Sequence, residues 1–173
     1  GLLLLVALIS YSPDDPNFIF PDNVKIKNLL GFHGSFISDL FFQSVGWIAY
    51  LISITLIFTG INTFKIKEFF LIIENIFFTI LYSIFGTYFL TYFYSSTFSL
   101  YINGNGGFIG DYLNQTFLNS LLKINENIFF YFLIFITLIL FLISVNFNIK
   151  KFIELIKKSL TFLLKKKNMN YTN

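Results

Sequence analysis

The sequence predicts an all-α membrane protein: a four-span transmembrane helical bundle with both ends in the cytoplasm and the first span cut short at residue 1. Three observations carry this expectation. The stretch from Leu40 to Phe64 holds no charged residue, and about 20 apolar residues suffice to cross a bilayer core of ~30 Å. The 173 residues are 55% hydrophobic and only 12% charged, against about 25% charged in an ordinary soluble domain. Nine of the twelve Lys fall in the turn at 65–68 and after residue 149, and basic residues favour the cytoplasmic side of a membrane.

The first span is expected over about 1–11, as the end of a helix that begins before Gly1. There is no starting Met and no charged n-region, so a signal peptide is not the reading. SYSPDDP at 10–16 then stops the helix, because its two prolines and two aspartates favour a turn. Residues 29–38 are amphipathic enough to lie at the interface, and Ser38 or Asp39 is expected to cap the next helix. The second span is placed at 40–61. Gly46, Ala49, Ser53 and Gly60 share one face of it, and small residues let helices approach closely in lipid.

After the charged turn at Lys65, Lys67 and Glu68, residues 69–73 are expected along the interface. Glu74 and Asn75 are expected at the boundary, because a carboxylate inside the bilayer is costly. The third span is placed at 76–94, with Thr79, Ser83 and Thr87 on a second small-residue face. A Gly/Asn turn region ends in NGNGGFIG at 103–110. A surface helix follows at 111–122, from its apolar period. The fourth span is placed at 128–145. Residues 150–173 read as a Lys-rich juxtamembrane helix and the start of a cytoplasmic linker; the Lys cluster suits anionic lipid better than DNA.

The chain contains no Cys and a single His, His33, which removes disulfide frameworks and thiolate metal sites. Asp14 and Asp15 read as turn residues, because two adjacent carboxylates without further oxygen ligands make a poor calcium site. The GNGG at 104–107 lacks the spacing and the Lys-Ser of a phosphate-cradling loop. No catalytic, cofactor-binding or metal-binding residue is assigned within the chain.

Three stretches together resemble a known family. Ser10, Tyr11, Pro13, Asp15 and Pro16 form a Ser-Tyr-x-Pro-x-Asp-Pro turn; Asp39, Leu40, Gln43 and Gly46 form an Asp-Leu-x-x-Gln-x-x-Gly pattern; Gly106, Gly107, Gly110, Asp111 and Leu113 precede the last span. This set is similar to the N-terminal four-helix membrane domain of FtsK/SpoIIIE-type bacterial DNA translocases. The resemblance implies a non-catalytic anchor at the division septum of the inner membrane. It implies as partners the lipid bilayer, other cell-division membrane proteins and further copies of the same protein. It also implies a cytoplasmic ATP-driven DNA motor beyond a linker, where ATP, Mg and DNA would bind. No such motor lies in these residues, since G-x-x-x-x-G-K-[ST] is absent.

The alternative is a free-standing four-span transporter or channel subunit. That class places polar residues inside its spans or breaks helices at the midplane, and neither is evident from the sequence of the second to fourth spans. A membrane enzyme would need a cluster of titratable groups at one face; Asp14, Asp15, His33 and Asp39 are a thin version of one.

Overall fold

A computed structural model describes residues 1–16, 25–95 and 103–148, together with Lys157 and Thr161. The described residues form seven helices: α1 (Leu2–Ile9), α2 (Gly31–Val45), α3 (Ile48–Ile66), α4 (Phe70–Tyr94), α5 (Gly107–Asn114), α6 (Leu118–Leu122) and α7 (Glu126–Ser144). Three of them, α3, α4 and α7, are long and apolar enough to cross a membrane. The Lys-rich helix expected over 150–173 lies outside the described residues apart from Lys157 and Thr161.

The single helix expected over 40–61 is two helices. α2 ends at Gly46, whose φ of 58° and ψ of −139° suit a residue without a Cβ, and α3 starts at Ile48. The apolar run hides this break, because hydropathy does not register a backbone conformation. Ser38 and Asp39, expected as caps, lie instead inside α2 and are buried. α2 begins earlier, where the Asn28 side chain accepts the Leu30 amide at 3.0 Å and turns the chain into the helix.

α4 also departs from expectation. It runs unbroken from Phe70, so residues 70–73 are its first turn, and Glu74 and Asn75 lie within it. Glu74 is exposed and Asn75 is 1% exposed. The helix expected over 111–122 is likewise two short helices, α5 and α6, with α5 starting at Gly107. α7 is capped at both ends. The Asn125 side chain accepts the Ile128 amide at 3.3 Å. At the far end Asn146 is left-handed (φ 53°), with Asn146 N–H on Ile143 O at 2.9 Å and Phe147 N–H on Leu142 O at 3.0 Å. This pattern satisfies carbonyls that a helix end leaves open.

α7 packs along α4, α3 packs against both, α1 lies on α2 and α3, and α5 crosses α4 and α2. Leu8, Phe42, Val45, Ile48, Ala49 and Tyr82 form one core. Tyr88, Leu122 and Leu133 form a second, under α5 and α6. Large side chains such as Phe77, Ile80, Phe135 and Leu138 stay exposed, as expected where the solvent is lipid rather than water.

Candidate functional site

Polar side chains gather at both ends of this apolar bundle. We call these the loop end, where α1, α2 and α4 finish, and the tail end, where α7 finishes. At the loop end the first problem is the C-terminus of α1, whose last carbonyls have no partner within the helix. Three side chains supply donors. Ser10 Oγ donates to Val6 O at 2.7 Å, Asn28 Nδ2 to Ala7 O at 2.9 Å and Tyr50 Oη to Leu8 O at 3.1 Å.

Asp15 then clasps the two sides of the first loop together. Its carboxylate accepts the backbone amides of Lys27 and Asn28, each at 2.8 Å, and it is 4% exposed. Hydrogen bonds to a charged group contribute about 1.5–3 kcal/mol each. Ser35 Oγ donates to Pro16 O at 2.8 Å, and Tyr11 Oη donates to Asp39 Oδ1 at 3.1 Å. Asp14 faces solvent and pairs with Lys27 at 2.9 Å. That hydrogen bond and the charge of Asp14 hold the Lys27 ammonium above its ordinary value.

A second knot lies beside the clasp. The break between α2 and α3 is filled by the glycine-rich turn before α5. Trp47 N–H donates to Asn105 O at 3.0 Å and Trp47 Nε1 to Asn105 Oδ1 at 3.2 Å. Asn105 Nδ2 donates to Tyr94 O, and Asn103 Nδ2 donates to Gln43 O at 3.2 Å. Backbones touch here, so no side chain fits. A Cβ on Gly46 would collide with the Asn105 carbonyl, and one on Gly107 would lie 2.6 Å from the Ser44 carbonyl carbon. Cβ atoms on Gly106 and Gly110 would meet Thr87 O and Thr91 Oγ1 of α4.

From the middle of the bundle, at Thr55 and Tyr82, down to the tail end, side chains bond mostly to side chains. Thr55 Oγ1 lies 3.0 Å from Tyr82 Oη and 3.1 Å from Ser144 Oγ. Asn75 Nδ2 donates to Thr59 Oγ1 at 2.9 Å, and Asn146 Nδ2 donates to Asn75 Oδ1 at 2.9 Å. Asn62 Nδ2 reaches Val145 O at 3.3 Å. α3, α4 and α7 are thereby joined by polar contacts inside apolar helices. This corrects the expectation that these spans carry no polar interior.

The motif residues divide accordingly. Ser10, Tyr11, Asp15, Pro16 and Asp39 meet at the clasp, while Pro13 is exposed on the turn. Gly46, Gly106, Gly107 and Gly110 meet at the knot, and Gln43 joins it through its carbonyl. Asp111 is half-buried on α5, where desolvation pushes its carboxyl up. Of the two small-residue faces, Ala49, Ser53, Ser83 and Thr87 are buried and Thr79 is half-buried. Gly60 has nothing within 4 Å of a built Cβ. Sequence reasoning missed Asn28, Asn105 and Asn146. The available signal was the same each time, an Asn beside an apolar run or a glycine. Among the described residues no three His, Cys, Asp or Glu come together as a metal site. Two clefts on the bundle, of about 470 Å³ and 140 Å³, are lined by apolar and aromatic side chains.

A family model described as the 4TM region of DNA translocase FtsK/SpoIIIE matches residues 1–157. The chain belongs to this family. It is 45% identical over 56 residues to a DNA translocase FtsK of Azospirillum brasilense, 31% of this chain and 9% of that protein. It is 36% identical over 67 residues to DNA translocase FtsK of Rickettsia bellii, 39% of this chain and 9% of that protein. A third relative, from Rickettsia typhi, is 36% identical over 62 residues, 36% of this chain and 8% of that protein. No solved structure matches. The matched stretches thus cover under a tenth of the length of these FtsK relatives, and the family match is to the transmembrane region.

Proposed function

We propose that this chain is the membrane anchor and assembly module of a cell-division DNA translocase. It holds a cytoplasmic ATP-driven DNA motor, with its ATP, Mg and DNA sites, at the septum of the inner membrane for chromosome segregation. The observation that carries this reading is the family match over 1–157, on a chain whose helices α3, α4 and α7 are apolar enough to span. In this reading α1 is the end of a first span, which makes four, and residues 150–173 open the linker to the motor.

The Lys distribution supports the orientation. The tail end, with Lys65, Lys67 and the Lys-rich segment after 149, faces the cytoplasm. The loop end faces outward, so the clasp, with the knot holding α2 and α5 together, forms a fixed platform on the far side of the membrane. That platform is the surface through which other division proteins are met. Association of such anchors raises the effective concentration of the motors tethered to them. The polar groups of α3, α4 and α7 bond one another across the bundle, an arrangement that supports packing rather than a conduction path.

The test replaces this domain in the full-length translocase with an unrelated four-span domain of the same topology. The anchor reading expects a fluorescent fusion to remain in the membrane and lose its septal band. Unchanged septal localisation would overturn it. Reporter fusions after residues 30 and 150 test the orientation: an outside-active reporter should work only at the first.

A further inference from the structure

We propose that α5 and α6 are embedded in the outer leaflet as a re-entrant collar, with Phe108, Tyr112 and Phe117 as their lipid-contacting ridge. Depth carries the argument. α4 has 25 residues, about 37 Å at 1.5 Å per residue, against a hydrocarbon core of ~30 Å. The overshoot is thus about 7 Å. Thr87 lies seven residues before Tyr94, about 10 Å below the end of the helix. Even if all of the overshoot stood on the outer side, Thr87 would sit about 3 Å inside the core. Tilt shortens the overshoot and deepens it further. Gly106 and Gly110 lie directly on Thr87 and Thr91. α5 therefore runs beside the bundle at the acyl–headgroup boundary, not above it. Leu122 packs on Tyr88 and Leu133, well along α4 and α7, so α6 shares that depth.

Backbone at such depth is tolerated where protein covers it. The inner side of α5 meets this condition, because its glycines rest on α4 and α2. The outer side of α5 carries Phe108 and Tyr112, and the turn into α6 carries Phe117; they are 61%, 62% and 74% exposed. The Phe108 and Tyr112 rings stack at 6.3 Å. Asp111 is the one charged residue between 103 and 122. Exposed apolar side chains also line α4 and α7, such as Ile80 and Phe135, and aromatic rings favour the interface. Its occupant is outer-leaflet lipid. The surface left to protein partners on this side is then the clasp and α2.

The inference rests on the membrane-domain part of the proposed function and needs no motor, so it can fail while the anchor reading stands. The natural chain has no Cys. Spin labels on Phe108→Cys and Phe117→Cys, in the full chain reconstituted into phosphatidylethanolamine–phosphatidylglycerol vesicles, report their surroundings directly. Ile80→Cys on the exposed face of α4 is the lipid reference and Asp14→Cys the aqueous one. Labels at 108 and 117 should collide several-fold more often with oxygen than with a water-soluble nickel chelate, at a depth between the two references. Chelate accessibility equal to that at Asp14→Cys would overturn the proposal. Shielding from both reagents would also overturn it, since that places protein on the ridge. Circular dichroism checks folding, and Tyr112→Cys replaces either variant that fails.

Discussion

The two ends of the bundle differ in the bonds that predominate, although side-chain pairs such as Tyr11–Asp39 and Trp47–Asn105 also hold the loop end, and Asn62 reaches a backbone carbonyl at the tail end. At the loop end, side chains bond to backbone: Asp15 to the Lys27 and Asn28 amides, Asn105 to Tyr94 O, Asn28 to Ala7 O. From mid-bundle to the tail end, side chains bond mostly to side chains: Thr55 to Tyr82 and Ser144, Asn75 to Thr59 and Asn146. A backbone partner is fixed in place, so its loss leaves a buried polar group stranded. A side-chain partner can turn to another neighbour or be replaced together with its mate. The loop end should therefore tolerate little, and the tail end more. In the proposed orientation, that is the pattern expected of an anchor whose outer face is a fixed platform.

Substitutions sharpen this contrast, beginning at the knot. Gly46→Val places a side chain against the Asn105 carbonyl at a φ of 58°. It should cost at least about 3 kcal/mol, as clashes and strain together do. Reversible unfolding in mixed micelles would register this, and a loss below about 1 kcal/mol would break the account of the knot. Next is Asp15→Ala, which strands two backbone amides. A loss of about 2–4 kcal/mol is expected from the penalties for unmade bonds, read by the same assay.

Asn75→Leu tests the other end. Hydrogen bonds between membrane helices average only ~0.6 kcal/mol and reach ~1.7, so about 1 kcal/mol is expected for this variant. A larger effect than that of Asp15→Ala would reverse the comparison. The smallest effect belongs to Asp111. Its carboxyl is raised by desolvation, so the folded chain holds a proton there more tightly than the unfolded one. The associated stability is present below the ordinary carboxylate value and is lost as pH rises through the raised one. Asp111→Asn should be slightly more stable than the parent at neutral pH, and the gap should close as the medium is acidified below the ordinary value of 3.8. A gap that widened on acidification would contradict the cause.

The sequence made some of this legible and hid the rest for physical reasons. Hydropathy located α3, α4 and α7 as apolar helices. The SYSPDDP stretch signalled a turn, since Pro and Asp act locally. What escaped were features set by contact between distant segments. Gly46 reads as one small residue among several in an apolar run, and only Asn105, far along the chain, shows why a helix must break there. Asn75 reads as a boundary residue, and only the folded chain shows that Thr59 and Asn146 are its partners. Asp15 reads as a solvated turn carboxylate because its ligands are amides, which every residue but proline carries. Ala49 and Ser53 lie where a small-residue face was expected, but a Cβ at Gly60 would meet no neighbour.

Hydrogen exchange on the chain in lipid vesicles tests the contrast most directly. The Lys27 and Asn28 amides, held by Asp15, and the Lys67 and Asn146 amides, held by the turns that end α3 and α7, all lie outside the spans. If the loop end is a fixed platform, the first pair should exchange at least about tenfold more slowly, a gap of ~1.4 kcal/mol in opening free energy. Equal rates, or faster exchange at Lys27 and Asn28, would mean that the clasp opens freely and that the outer face is not a platform.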